Sequence, residues 1–137
     1  MTLSNVKTAL LAGALGMTAA SAHALPPLSS DKYVHDQLLA GFIGDKIDQH
    51  CDKIGARKLA ALRKLYVLRD YARAKGYSDG QIKAFIDDKN EKAKLNAEAA
   101  RYLAERGAKP GAPQSYCVVG YQEIQANSLT GRLLFTK

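Results

Sequence analysis

Apolar residues recur at intervals of three and four positions along most of this chain, and this spacing limits what it can fold into. The clearest case lies between residues 31 and 52, where the repeating positions are Val34, Leu38, Leu39, Phe42, Ile43, Ile47 and Cys51. Such an interval places side chains on one face of an α-helix, whereas a half-buried strand alternates with period two. No strand-like alternation of useful length is present. The pattern therefore predicts an all-α protein, a small bundle of about five helices.

Breaks and capping signals divide the chain into its separate helices. We expect helices at about 31–52, 56–75, 79–87 and 89–106, and a final helix from 114 that bends near 127–128 and continues to 134. Ser78 and Gln81 have the spacing of a capping box, in which both side chains bind free backbone N–H groups at a helix start. The segment 107–113, rich in Gly and Pro, is predicted to be a loop. Gly41 could mark a close contact between helices, although ordinary packing is the simpler explanation.

The second predicted helix has apolar residues on two nearly opposite sides. One side carries Ala61, Leu65, Leu68 and Ala72, and the other carries Leu59, Leu62 and Tyr66. A helix that is apolar on two sides is usually covered on two sides. We therefore expect it to be the central helix, with the others packed around it.

Positive charge is concentrated in the same segment. The segment has one acidic residue, Asp70, and seven basic residues, which are Arg57, Lys58, Arg63, Lys64, Arg69, Arg73 and Lys75. This surplus makes the segment a candidate binding patch for an anionic lipid surface, a polyanion or an acidic protein. The alternative is that these charges only keep the helix soluble, because they are spread in angle around it.

The first 24 residues have the order of features that is typical of a cleavable signal peptide. Lys7 is positively charged, residues 8–20 are uncharged, and Ala22 and Ala24 are the small residues that a signal peptidase reads. As a helix the uncharged run would span only about 20 Å, less than the ~30 Å hydrocarbon core of a membrane, which disfavours a permanent anchor. We expect cleavage after Ala24, a single helical domain over residues 25–137, and a periplasmic location.

Size and charge exclude several classes of function. The chain has 137 residues, which suffice for one small domain but not for a nucleotide-binding fold with a substrate domain, nor for an (α/β) barrel. Its net charge of +7 falls by one unit if the signal peptide, with Lys7, is removed. For an exported protein we expect no nucleic-acid partner, and the positive charge would instead face membrane surfaces and other exported proteins.

Cys51 and Cys117 are the two thiols of the chain. An even pair in a small exported domain is most simply a disulfide. The bond would tie the end of the first helix to the start of the last and restrict the unfolded state by ~4 kcal/mol in the chain-entropy model. The alternative is a nucleophilic cysteine beside His50. It is disfavoured because neighbours on a helix point about 100° apart and an oxidising compartment favours pairing.

Candidate metal ligands are few. A zinc site needs three or four Cys, His or carboxylate ligands. The domain offers two histidines, His35 and His50, with Asp36, Asp48 and Asp52 as additional donors. We therefore expect no metal site and no cofactor.

Candidate catalytic groups are equally scarce. Asp87 and Asp88 could be the paired carboxylates of a glycosidase, but they lie at a predicted helix boundary, where capping explains them better. The sequence contains no Gly-x-Ser-x-Gly elbow, no phosphate-binding loop and no haem-attachment motif. We expect a protein that is not an enzyme. A hydrolase acting on acyl groups or peptidoglycan is the enzymatic alternative.

A set of short motifs spans nearly all of residues 26–134. They are Pro26-Pro27-Leu28, Cys51-Asp52, Ala56-Arg57, Gly76-Tyr77-Ser78-Asp79, Tyr102-Leu103, Ser115-Tyr116-Cys117, Gly120 with Glu123-Ile124, and Gly131-Arg132-Leu133-Leu134. In these motifs the chain resembles a family of small exported bacterial proteins with two cysteines, catalogued as a domain of unknown function. Gly55 departs from the pattern, which would place Ser there, and this weakens any capped start for the second helix.

The resemblance implies no catalytic residues. Through gene neighbourhoods that encode the proton-pumping NADH–quinone reductase, it implies an accessory or assembly role at an inner-membrane respiratory complex. Our leading hypothesis is thus a non-enzymatic periplasmic protein that binds another protein, with the Arg57–Lys75 helix and the Tyr-bearing helix faces as candidate contact surfaces. The alternative is a disulfide-bridged periplasmic stress chaperone that unfolds in part at low pH.

Overall fold

The computed structural model describes residues 23–137, so the predicted signal peptide lies outside the described residues except for its last two positions. Within this range the chain forms five α-helices, two short strands and two 3₁₀ turns. The helices are α1 (Lys32–His50), α2 (Lys58–Ala74), α3 (Asp79–Asp87), α4 (Lys89–Glu105) and α5 (Pro113–Gln125). The strands are β1 (Ile54–Ala56) and β2 (Leu134–Thr136), and the 3₁₀ turns are Leu28–Ser30 and Gly131–Leu133. The predicted all-α class is confirmed.

Helix α1 is the central helix of the fold. Its buried residues Ile43 and Ile47 belong to one core cluster with Leu103 of α4 and Val119 of α5. Helix α2 buries only Leu68 and Ala72. The prediction that the second helix is central is therefore wrong, because one of its two apolar sides is covered and the other faces solvent.

A disulfide joins the residue that follows α1 to the first part of α5. The sulfur atoms of Cys51 and Cys117 are 2.08 Å apart. Both cysteines belong to the main core cluster and are almost fully buried. The predicted bridge between the end of the first helix and the start of the last is confirmed.

The chain ends in a strand, and the predicted continuation of the last helix to residue 134 is wrong. Helix α5 stops at Gln125, and Asn127 has a positive φ of 47°, which a helix cannot continue through. A side chain at Gly131 would overlap the carbonyl oxygen of Glu123, so the returning chain packs directly on α5. After this turn β2 pairs antiparallel with β1, with Gly55 opposite Phe135.

Gly55 lies within β1, where the sequence pattern predicts only a break before the second helix. A Cβ atom at this position would be 2.7 Å from the ring of Phe135, so a larger residue would displace that ring. Helix α2 then begins after Arg57, whose side chain makes no capping hydrogen bond. The uncapped start that the glycine suggests is thus confirmed.

Helices α2 and α3 pack on a second, smaller core. It contains Leu28 from the amino-terminal segment, Val34 of α1, Leu68 and Ala72 of α2, Tyr77, and Ile82 of α3. The predicted capping box starts α3. There the Ser78 hydroxyl accepts from Gln81 N at 3.1 Å, and the Gln81 side-chain carbonyl accepts from Ser78 N at 2.8 Å.

Asp31 fastens the end of α2 to the start of α1. Its carboxylate accepts a hydrogen bond from Val34 N at 3.1 Å and so caps α1. The same carboxylate binds Lys75 Nζ at 2.7 Å and the Tyr71 hydroxyl at 3.1 Å. Lys75 and Tyr71 hold the pKa of Asp31 below its usual value, together with the Val34 N–H group.

Among residues 23–137, no helix combines the length and the apolar character needed to cross a membrane.

Candidate interaction surface on helix α2

The outward side of α2 exposes large apolar side chains. Ten large hydrophobic residues are exposed in the part of the chain that the structure describes, and half of them lie on this one helix. They are Leu59, Leu62, Tyr66 and Val67, together with Leu65, which lies on the side of α2 that faces α1 and is still 49% exposed. Leu59 is the most exposed of all, at 72%. The uncovered side of α2 is thus the most apolar helix surface in the described residues.

The seven predicted basic residues fall into three groups. Arg69, Arg73 and Lys75, in the second half of α2 and just after it, are paired with acids. Arg69 binds Asp70 at 3.0 Å, Arg73 Nε binds Asp79 at 2.6 Å, and Lys75 Nζ binds Asp31 at 2.7 Å. Their charges are therefore largely balanced within the molecule.

Arg57 has a different role. Its side-chain Nε donates to the carbonyl of Leu134 at 2.8 Å, and its backbone N–H donates to the carbonyl of Leu133 at 2.7 Å. The guanidinium group thus covers a β2 carbonyl that the partner strand leaves free. Arg57 belongs to the fold more than to a binding patch.

The remaining three are Lys58, Arg63 and Lys64, and they have no ion-pair partner among the described residues. All three lie in the first half of α2, next to Leu59 and Leu62. The structure therefore narrows the candidate patch to a surface that combines these three cations with the exposed apolar residues of α2. We call it the α2 surface.

A groove runs between α1 and α2 beside the α2 surface. Its volume is about 290 Å³, and its walls are formed by Leu38, Gly41, Phe42, Ala61, Leu65, Leu68 and Leu133, with Gln37, Asp45 and Lys64 at the rim. Gly41 does not make a close contact between helices, which was the less simple of the two explanations for it. A Cβ atom there would find no atom within 4 Å, so the glycine opens the groove.

The two histidines lie at opposite ends of α1 and do not share a site. His35 Nε2 is 2.8 Å from Glu98 of α4, and Nδ1 is 3.3 Å from Asp36. Burial lowers the pKa of His35, but the two carboxylates more than compensate, so the pKa is raised overall. The ring of His50 instead stacks on Tyr116, with 4.3 Å between the ring centroids.

Most of the remaining candidate ligands and acids have partners in the fold: Asp36 pairs with Lys32 and Asp48 lies 3.5 Å from Lys137 Nζ, whereas Asp52 is exposed. Within residues 23–137, the one cluster with the composition of a metal site is Cys51, Asp52 and Cys117, and its two sulfur atoms are bonded to each other. Asp87 pairs with Lys83. Asp88 caps α4 by accepting from two backbone N–H groups, at 2.8 and 3.0 Å, as the capping explanation predicts.

Glu123 belongs to one of the motifs that carry the family resemblance, but its role as a buried carboxylate was not predicted from the sequence. It accepts from the Tyr102 hydroxyl at 2.5 Å through one oxygen and from the Ser128 hydroxyl through the other. Burial and this carboxylate raise the pKa of Tyr102 to about 12. The guanidinium of Arg106 lies over the Tyr102 ring, 3.4 Å from its centroid. The network joins α4, α5 and the turn that precedes β2.

One signal in the sequence could have revealed Glu123. It follows Tyr116, Val119 and Gly120 at helical spacing, which places it on the buried face of α5. A carboxylate on a buried face requires hydrogen-bonding partners. Tyr102 and Ser128 provide them, so the structure assigns this group a bridging role in the fold.

Comparison with known proteins gives a family assignment. The model of a family described as "Family of unknown function (DUF5333)" matches residues 26–135. The searches found no match among curated proteins or among solved structures. The match spans the whole helical domain, both cysteines and the α2 surface. The chain therefore belongs to this family of unknown function.

Proposed function

We propose that this protein is a non-enzymatic binding protein that docks on another protein through the α2 surface. The observation that carries the proposal is the coincidence, on one helix, of five exposed large apolar residues and three cations without an ion-pair partner among residues 23–137. Single exposed apolar residues are normal on a monomer, whereas several on one helix are typical of an interaction site. The surface also has the mixed character of transient interfaces, with apolar residues bordered by charges.

The way in which α2 is attached supports this assignment. The helix contributes two buried residues to the fold and keeps most of its large side chains outside. At 1.5 Å per residue its 17 residues form a ridge about 25 Å long, a length that suits a protein interface. Arginine and tyrosine, both present here, are enriched at the centres of such interfaces.

A binding role is favoured over hydrolysis because the candidate base and the candidate nucleophile belong to separate networks. His35 is hydrogen-bonded to Glu98 and Asp36, and the hydroxyl of Ser128 is hydrogen-bonded to Glu123. Hydrolysis by a nucleophile and a base would require the two groups to bind each other beside an oxyanion donor.

Site-specific photocrosslinking tests the proposal. A photoreactive residue in place of Leu62 should form an adduct with one protein in intact cells. The same residue in place of Val118, which is similarly exposed at 53% but lies on α5, is the matched control. The adduct should be identified by mass spectrometry and rebuilt from purified components, with an inner-membrane respiratory complex as the first candidate.

The expected result is an adduct from position 62 and none from position 118. The adduct from position 62 should be lost when Arg63→Glu and Lys64→Glu are introduced together. Equal labelling from both positions, or no adduct from position 62, would contradict the proposal. A complex that forms equally well with the doubly reversed variant would also contradict the role of the α2 surface.

A stress-chaperone function is the second candidate, and Asp31 is the observation that favours it. Its carboxylate holds Lys75 and Tyr71 next to the second core, and its pKa is lowered in the fold. Protonation in strong acid would release these contacts and expose the apolar residues beneath α2. The test is dye binding and suppression of aggregation at pH 7 and pH 3. Equal dye binding and equal suppression of aggregation at pH 7 and pH 3 would rule this candidate out.

A further inference from the structure

We infer that the groove between α1 and α2 receives apolar side chains from an acidic segment of the partner. This inference rests on the proposed function and gives the chemistry of what is bound. A helix or extended segment would lie along α2, with its apolar residues in the groove and its carboxylates facing the free cations. This is the helix-in-groove mode of recognition, in which anchors recur every three or four residues.

The shape of the groove is the first argument. Leu38 and Phe42 of α1, Leu65 and Leu68 of α2, and Leu133 from the turn before β2 line it. The volume of about 290 Å³ is at the lower end of the range for small-molecule sites and suits one or two apolar side chains.

The two residues that keep the groove open are the second argument. Gly41 and Ala61 line it from opposite helices, and both are small. Nothing lies within 4 Å of the position that a Cβ atom of Gly41 would take. A larger residue would therefore fit at Gly41 without a clash. The fold does not need a glycine here to bring two segments close together.

The charged residues around the groove indicate which kind of segment binds there. Lys64 lines the groove and Lys58 lies one turn before Ala61 on α2, and neither has an ion-pair partner among residues 23–137. Arg63 comes two residues after Ala61 and so lies on the side of α2 that is turned away from the groove. Asp45 also lines the groove and accepts a hydrogen bond from the Gln49 amide at 2.6 Å, so two cations stand against one acid there. A second copy of this chain would bring the same cations face to face. An acidic segment would neutralise them and still fill the groove.

A lipid surface suits this arrangement less well. A helix that lies in a membrane interface separates one apolar face from one basic face. In α2 the exposed apolar residues and the cations alternate around the helix, and the groove is recessed between two helices. Filling a recess requires side chains that project from the partner, as they do from a peptide.

The test uses defined peptides and two matched variants. The probe is a synthetic amphipathic peptide with Leu at intervals of three and four and Glu at most other positions. In the Gly41→Leu variant the new side chain fills the groove, whereas Gly41→Ala makes the same gain in helix propensity and leaves it open. Ala61→Leu fills the groove from the other wall, and the melting temperature of each variant reports whether it folds.

The Glu/Leu peptide should bind the wild-type protein and the Gly41→Ala variant equally. Its affinity should fall about tenfold or more in Gly41→Leu and Ala61→Leu, which is the size of effect expected when an interface hot spot is lost. A peptide with Lys in place of Glu should not bind. Equal binding to Gly41→Leu, equal binding of the Lys peptide, or binding only to vesicles of anionic phospholipid would overturn the inference. Crosslinking from position 62 separates the two proposals, because an adduct that persists in Gly41→Leu would leave the docking function standing while the groove is excluded.

Discussion

The body formed by α1, α4, α5 and the two strands differs from the α2–α3 hairpin in the contacts that stabilise it. The body has a core of fully buried residues, including Ile47, Leu103 and Val119, with the disulfide inside it and the Glu123 network at its edge. The hairpin rests on a smaller cluster and on polar contacts to Asp31, and much of its apolar surface is exposed. The body is therefore closed around its core, whereas the hairpin leaves much of its apolar surface in contact with solvent.

Removal of the disulfide is expected to have the largest effect on the body. The double variant Cys51→Ala and Cys117→Ala releases a loop whose ends are 66 residues apart, which costs ~4 kcal/mol in the chain-entropy model. Denaturation in urea measures the free energy of unfolding. An unchanged midpoint would show that the bridge contributes nothing to the stability of the body.

Truncation of a buried side chain in the body and of an exposed side chain on the hairpin compares the two regions directly. Ile47→Ala in the body should lower the free energy of unfolding by roughly 2–5 kcal/mol, because Ile47 is fully buried. Leu59→Ala on α2 should change it by less than about 0.5 kcal/mol, because Leu59 faces solvent. Similar losses in the two variants would show that the outward side of α2 is covered in solution.

Asp31 tests the attachment of the hairpin. Asp31→Ala removes both the cap of α1 and the contacts to Lys75 and Tyr71, and loss of the cap alone costs ~1 kcal/mol. Asp31→Asn is the matched control, because asparagine caps equally well but cannot pair with Lys75 as a charge. In the Asp31→Ala variant, hydrogen exchange should show a loss of protection in α2 and α3 and no loss of protection in α5. Uniform loss throughout the chain would contradict a separately attached hairpin.

The same carboxylate sets the acid limit of this attachment. Because the pKa of Asp31 is lowered in the fold, its contribution to stability is present above the unfolded value near 3.8 and is lost as the pH falls through the folded value. The wild-type protein should lose α2 protection below about pH 4, and Asp31→Asn should show no such step.

His35 gives a smaller pH dependence of opposite sign within the body. Its pKa is raised in the fold, so its contribution is present below the unfolded value of 6.5 and is lost as the pH rises through the folded value. The wild-type protein should therefore be less stable at pH 8 than at pH 6, relative to His35→Gln. Half-exposed groups are screened by solvent, and we expect less than about 1 kcal/mol. A titration of the His35 ring by NMR checks the direction, and a pKa below 6.5 would contradict it.

Much of the fold follows from local patterns in the sequence. The bounds of α3 and α4 are close to those predicted because Ser78, Gln81 and Asp88 act within one turn of the helices that they start. The disulfide was also predictable, since two cysteines in a small domain have one pairing. These signals depend on neighbours in the chain and require no knowledge of the tertiary structure.

The candidate site was predicted in part. The basic residues of α2 were visible, but the sequence did not show that Arg73 meets Asp79, that Lys75 meets Asp31, or that Arg57 binds the last strand. Those partners come from other segments. The α1–α2 groove was not visible either, because a glycine in a helix reads the same whether it faces a neighbour or an open space.

The sequence by itself determined the helices, their caps and the covalent link, because each depends on side chains a few residues apart or on a single pair of thiols. Only the tertiary structure decided that α1 is central, that the three-residue strands pair, that Glu123 bridges two helices, and that the outer side of α2 stays uncovered. The physical reason is that periodicity gives the faces of a helix but not which of them another element will cover. For α2 that choice leaves Leu59, Leu62 and three cations without an ion-pair partner among residues 23–137 at the surface.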